Sequence, residues 1–233
     1  MIGYYDYTVL LTYASMLSAG LGIVISLQGE GHPYAGTFFL LFCGLCDAFD
    51  GKVARMKKDR TPEECAFGIQ IDSLCDLVSF GVLPACIGEA LMWKSDIADI
   101  LKLHIGEDGF VVPFICIIIA ITYILCAMIR LAYFNVKEEI RQKEEGGVRK
   151  QYEGLPVTSA ALIFPVIMLL QFLTLKDLTA LYFAGLVVVG LLFISKITVK
   201  KPDNKGLMKL IIIGAVEFLL LIGYLVYKKL TGA

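Results

Sequence analysis

Histidine is almost missing from this chain, with two in 233 residues, which leaves little from which to build a zinc or imidazole site. An excess of positive charge is missing as well. The formal net charge is −1, so no overall basic field exists to draw in nucleic acid. The opening residues, MIGYYDYTVL, lack the basic flank of a signal peptide, and the first apolar segment is expected to remain as a helix. A second CxxC is absent: Cys43 and Cys46 spell CGLC, but they have no partner pair. The seven cysteines, six of them in apolar stretches, therefore read as small buried hydrophobes and not as a redox site, a zinc half-site or a disulfide framework. Period-two alternation is also lacking, which excludes a membrane barrel.

What is present is apolar length. The chain is 58% hydrophobic with a mean hydropathy of +0.75, values outside the range of ordinary soluble domains. Hydropathy predicts spans at about 8–28, 34–55, 69–93, 110–136, 156–175, 178–196 and 207–227. The expected fold class is an all-α polytopic membrane protein forming a single integral membrane domain over 1–233. Its helices should divide into a group over about 8–175, which holds the acidic residues described next, and additional helices over about 178–228. Lysine and arginine concentrate in the connections 52–60, 137–150 and 196–209, which the positive-inside rule places in the cytoplasm together with the N-terminus. An amphipathic segment over 96–104 is a candidate for an eighth element, which would alter the side of the C-terminus.

Against this apolar background four carboxylates stand out. Asp47 and Asp50 close the second span, and Asp72 and Asp76 open the third. A charge at the centre of a membrane helix costs roughly 2.5–3.5 kcal/mol on insertion scales, so four at one depth require strong compensation. The three-residue step on one helix and the four-residue step on the other put each pair on one face, and the topology brings both pairs to the same cytoplasmic edge. Four hard oxygen donors suit Mg²⁺, Mn²⁺ or Ca²⁺. Gly44, Ala48, Gly51, Ala54 and Gly68 permit close approach, and Arg55 follows as a natural phosphate partner. Intramembrane carboxylates also serve ion pathways, so a divalent-cation transporter is the rival reading. No inverted repeat of the motif supports it.

The order Asp47-x-x-Asp50-Gly51-x-x-Ala54-Arg55, a spacer, then Gly68-x-x-x-Asp72-x-x-x-Asp76 resembles the signature of the CDP-alcohol phosphotransferase family. The likeness extends from about Thr12 to Ala161. The spacer from Met56 to Phe67 departs from the family pattern: it is twelve residues long here, enlarged by KKDRTPEE. Three further stretches, SFGVLPA, RLAYFNV and GLPVTSAA, resemble the phosphatidylserine-synthase branch. The resemblance implies a six-helix bundle with one or two extra C-terminal helices, and two divalent cations held by Asp47, Asp50, Asp72 and Asp76. It further implies CDP and phosphate contacts from Asp50, Gly51, Ala54, Arg55 and Gly68, with Asp76 as the base. The implied substrates are a CDP-lipid, with ester or ether tails, and L-serine. Glycerol phosphate or inositol phosphate would be the acceptor in a sister enzyme. Arg130 and Asn135 are expected near the acceptor, and the assembly is expected to be a homodimer in the cell membrane with its site facing the cytoplasm.

Overall fold

The computed structural model describes residues 3–29, 31–54, 56–95, 111–144, 151–174, 176–200 and 204–231. The candidate segment 96–104, Arg55 and the Gly146-Gly147 turn lie outside them. Among the described residues eight α-helices carry the fold: α1 Leu10–Leu27, α2 Pro33–Ala54, α3 Pro62–Asp76, α4 Leu83–Met92, α5 Val111–Glu144, α6 Ala160–Thr174, α7 Thr179–Phe193 and α8 Asn204–Thr231. A six-residue π segment, Leu77–Val82, joins α3 to α4 without a break. One short antiparallel pair, Gln151–Glu153 with Thr198–Lys200, ties the α5–α6 connection to the α7–α8 connection. Among the described residues four helical stretches are long and apolar enough to cross a membrane: Tyr7–Leu27, Pro62–Met92, Val111–Arg141 and Val157–Thr174. The protein is an all-α polytopic membrane protein.

Two helices exceed the limits set by hydropathy by about two turns, and α8 exceeds its own by about one turn at each end. α3 begins at Pro62 and not near 69, because Thr61 and Glu64 form a capping box in front of the apolar run. The Thr61 Oγ1 accepts from the Glu64 amide at 3.2 Å, and a Glu64 carboxylate oxygen accepts from the Thr61 amide at 2.8 Å. Pro62, at the first turn, costs no hydrogen bond there. α5 continues to Glu144, eight residues past the predicted end of its apolar run, since a helix need not stop where its residues turn polar.

α1 and α2 pack with little between their backbones. A Cβ on Gly22 would lie 2.8 Å from the Cβ of Phe39, and one on Gly36 would meet Ser26 Oγ. Small polar groups satisfy carbonyls across this contact: Ser18 Oγ donates to Phe39 O at 3.1 Å and Cys43 Sγ to Ser15 O at 3.3 Å. Cys43 is thus a packed thiol with a local acceptor, as its apolar setting predicts. The core proper lies between α4, α5, α6 and α7, around Tyr123, Phe164, Tyr182 and Phe193. The rings of Phe164 and Tyr182 sit 5.0 Å apart and those of Tyr123 and Phe164 5.7 Å apart.

The π segment is fixed from both sides. Pro84 has no amide proton to return to Phe80, and the freed Phe80 carbonyl accepts from Tyr123 Oη on α5 at 2.7 Å. The Pro84 carbonyl in turn accepts from Tyr182 Oη on α7 at 2.9 Å. Both tyrosines are fully buried. Tyr123→Phe strands the Phe80 carbonyl, and a loss of about 1–3 kcal/mol is expected, read as a lower unfolding temperature in detergent.

Glu217, the single acid of the last span, is 4% exposed and turns into the bundle on the face of α8 that carries Leu221. Neither carboxylate oxygen has a hydrogen-bond partner among the described residues.

Candidate active site

α2 delivers Asp47 and Asp50 in its last two turns, and α3 delivers Asp72 and Asp76 at the turn that runs into the π segment. All four side chains are half-buried. They gather between the end of α2 and the junction of α3 with the π segment: Asp50 and Asp72 lie side by side, Asp47 feels the charge of Asp72, and Asp76 feels that of the other three. The Gly51 amide donates to its neighbour Asp50 Oδ1. Among the described residues no lysine or arginine forms an ion pair with any of the four. Lys52 lies instead over the ring of Phe49, 5.4 Å from its centroid. Acidic groups so placed repel one another unless a positive charge is supplied, and hard divalent cations fit this donor set. The arrangement is one of facing pairs and not a closed cage, since no three acidic, histidine or cysteine side chains among the described residues meet at ligating distance.

The other expected residues divide. Gly68 keeps the face of Asp72 and Asp76 one turn toward the start of α3, and Ala54 ends α2. Asn135 reaches the site's edge, where its Nδ2 donates to Ser73 Oγ, beside Asp72, at 2.8 Å. Arg130 does not snorkel to a surface. It is 6% exposed, its Nε donates to the Leu155 carbonyl at 3.2 Å, and its guanidinium stacks 5.2 Å from the ring of Phe134. It props the Gly154–Val157 turn, the start of GLPVTSAA.

That turn is tightly held. Gly154 has φ +76°, its amide donates to Ile197 O at 2.7 Å, and the Leu155 amide donates to Leu192 O at 3.0 Å. Next to Asp47 an apolar cavity of about 470 Å³ opens between α2, α6 and α8, with Leu45, Ala48, Leu162, Gly214 and Phe218 among its walls. Carboxylates and hydrocarbon-lined space thus adjoin, which is the arrangement a reaction on a lipid headgroup needs.

The enlarged spacer is a folded element, a feature that sequence reasoning missed. Lys57 Nζ lies 2.8 Å from Asp6 and 3.0 Å from Glu64, so one lysine ties the N-terminal segment to the first turn of α3. The ammonium beside Asp6 holds its carboxyl down at about 2. The signal available in the sequence was the capping pattern Thr61-x-x-Glu64 with a lysine a few residues before it.

Comparison with known proteins settles the lineage. Residues 8–195 match the family described as CDP-alcohol phosphatidyltransferase. The chain belongs to the CDP-alcohol phosphatidyltransferase family. Among curated relatives, it is 32% identical over 162 residues to a CDP-diacylglycerol–serine O-phosphatidyltransferase of Saccharomyces cerevisiae, covering 68% of this chain and 51% of that protein. It is 30% identical over 193 residues to an archaetidylserine synthase of Methanothermobacter thermautotrophicus, covering 82% and 70%. It is 28% identical over 194 residues to a CDP-diacylglycerol–serine O-phosphatidyltransferase of Methanocaldococcus jannaschii, covering 83% and 74%. The chain thus spans about half the length of the yeast relative and more of the archaeal ones. No solved structure matches. The family match takes in α1 to α7, whereas α8 lies beyond it.

Proposed function

We propose that this CDP-alcohol phosphatidyltransferase transfers the phosphatidyl group of a CDP-lipid to the hydroxyl of L-serine, giving a phosphatidylserine-type lipid and CMP. The observation that carries the reading is the meeting of Asp47, Asp50, Asp72 and Asp76 across two helices, with no cation paired to them among the described residues. Relatives whose names specify serine support the choice of acceptor.

Asp47, Asp50 and Asp72, with one oxygen of Asp76, are the groups that would hold two divalent cations, Mg²⁺ or Mn²⁺. When bound, those cations supply the positive charge that a diphosphate needs in order to sit among carboxylates and to release its nucleotide. The side chains of the protein do the rest. Gly51 and Ala54 leave space beside the acidic face for the nucleotide, Gly68 lets the Arg60 side chain lie against α3 at the edge of that space, and Arg55 follows α2 as a phosphate partner. The apolar cavity next to Asp47 keeps a lipid chain in hydrocarbon while its headgroup reaches the carboxylates. Asp76, the last residue of α3, takes the proton of the serine hydroxyl as the serine oxygen bonds to the lipid-side phosphorus. The bond from that phosphorus to the CMP oxygen breaks, and the electron pair leaves with CMP. Asn135, anchored on Ser73, borders the acceptor side. Arg130 acts from behind, holding the 154–157 turn in place. Orientation follows the distribution of basic residues, which places the site and the N-terminus in the cytoplasm of a cell-membrane protein.

Purified protein supplied with CDP-diacylglycerol and Mg²⁺ or Mn²⁺ is expected to release CMP only when L-serine is added. Release driven by glycerol phosphate or inositol phosphate would reassign the acceptor, and Mn²⁺ flux into liposomes without nucleotide release would overturn the enzymatic reading.

A further inference from the structure

Arg60 belongs to no motif, yet the fold brings it onto the acidic face. It sits in the enlarged spacer, just before the capping Thr61. Its Nη2 donates to the Glu64 carbonyl at 3.0 Å, and the guanidinium then lies along α3 over Gly68. A Cβ on Gly68 would stand 2.6 Å from Nη2, 3.7 Å from Cζ and 3.9 Å from Nη1. Gly68, Asp72 and Asp76 recur at four-residue steps on one face, so the guanidinium stands on the carboxylate face about 6 Å of helix rise before Asp72. Its Nε is buried and has no hydrogen-bond partner among the described residues. The loop that carries it is tied down by the contacts of Lys57 with Asp6 and Glu64 and by the capping box.

We propose that Arg60 binds the diphosphate of the nucleotide substrate at the water-side entrance of the acidic face. This rests on the phosphatidyltransfer reading above. The lipid half of the substrate belongs by the cavity at Asp47, so the nucleotide half extends the other way, past Gly68 and toward the spacer. A diphosphate entering among four carboxylates meets repulsion at each step, and a guanidinium with an unused donor at the entrance offsets it. Serine carries a carboxylate of similar chemistry, but its hydroxyl belongs at Asp76, about 12 Å of helix rise beyond Gly68 and away from the guanidinium.

The test is equilibrium binding of CMP and of CDP-diacylglycerol to the full-length protein in detergent with Mg²⁺, alongside steady-state kinetics. Arg60→Gln is expected to weaken both ligands about tenfold or more and to raise the CDP-lipid KM, with the serine KM unchanged; Arg60→Lys should recover part of the loss. Lys57→Ala, which loosens the loop but keeps the guanidinium, should weaken binding by a few-fold at most. Unchanged nucleotide affinity in folded Arg60→Gln would overturn the proposal, as would a rise confined to the serine KM. A lowered unfolding temperature with normal affinity in the folded fraction of both variants would reduce Arg60 to a loop prop and overturn it too. Wild-type protein that binds CMP but turns over no serine would sink the reaction reading and leave the Arg60 contact measurable.

Discussion

Asp72→Asn is expected to remove turnover almost completely while the protein still folds. The change keeps the volume of the side chain, and removing one of four crowded negative charges relieves repulsion when the protein is heated without divalent cation, so its unfolding temperature under that condition should hold or rise. What is lost is ligand charge at the residue that contacts Asp50 and lies within electrostatic reach of Asp47. A drop of about a hundredfold to a thousandfold in kcat is the scale for removing one preorganised charge-stabilising group. CMP release under saturating serine and Mg²⁺ or Mn²⁺ measures it, with thermal unfolding as the control. Near-wild-type kcat in the variant would mean that the carboxylate at position 72 holds no cation.

Gly154→Val should have the largest effect on stability. The residue is buried, and its φ of +76° lies in the left-handed region, where a β-branched side chain is strained. Space is lacking as well, since the added Cβ would come within 2.6 Å of the Phe193 carbonyl oxygen, 3.0 Å of the Ser195 carbonyl oxygen and 3.3 Å of Arg130 Nε. Two of these obstacles are backbone and cannot rotate away. Strain and clash together should cost about 3 kcal/mol or more, seen as loss of folded protein on size exclusion or a large fall in unfolding temperature. Gly154→Ala carries the same Cβ and should be only slightly milder. A variant as stable as the parent would show that the turn is free to reshape and that Arg130 does not depend on it.

How far the residues disclosed this arrangement varies from element to element. Most span limits fall within a few residues of the observed helices because membrane helices are marked by sheer apolar length, a signal that survives without tertiary information. The limits that moved, at Pro62 and Glu144, moved because capping and continuation are set by local hydrogen bonds and not by hydropathy. The meeting of the four aspartates was legible from spacing plus topology, since both pairs had to lie at one membrane edge. The partners of Arg130 were not. A buried guanidinium can satisfy itself on any nearby carbonyl, and its choice of Leu155 depends on how the 154–157 turn packs against α7 and the residues after it. Arg60 was equally hidden, because its position depends on a loop whose length departs from the family pattern and whose shape is set by Lys57, Asp6 and Glu64 together.

The wide turn after Asp76 sets the phase between the two halves of one rod. Upstream of it the acids point at α2, and downstream Leu83, Ile87 and Leu91 point into the core. Each residue of an ordinary helix advances about 100°. Deleting one residue from Leu77–Val82 would let the rod wind regularly, but it would swing the acid side by about that angle relative to the part clamped by the two tyrosine hydroxyls. Chemistry and anchorage are therefore timed against each other by a single surplus residue, so that stretch is constrained in length as well as in the side chains it packs.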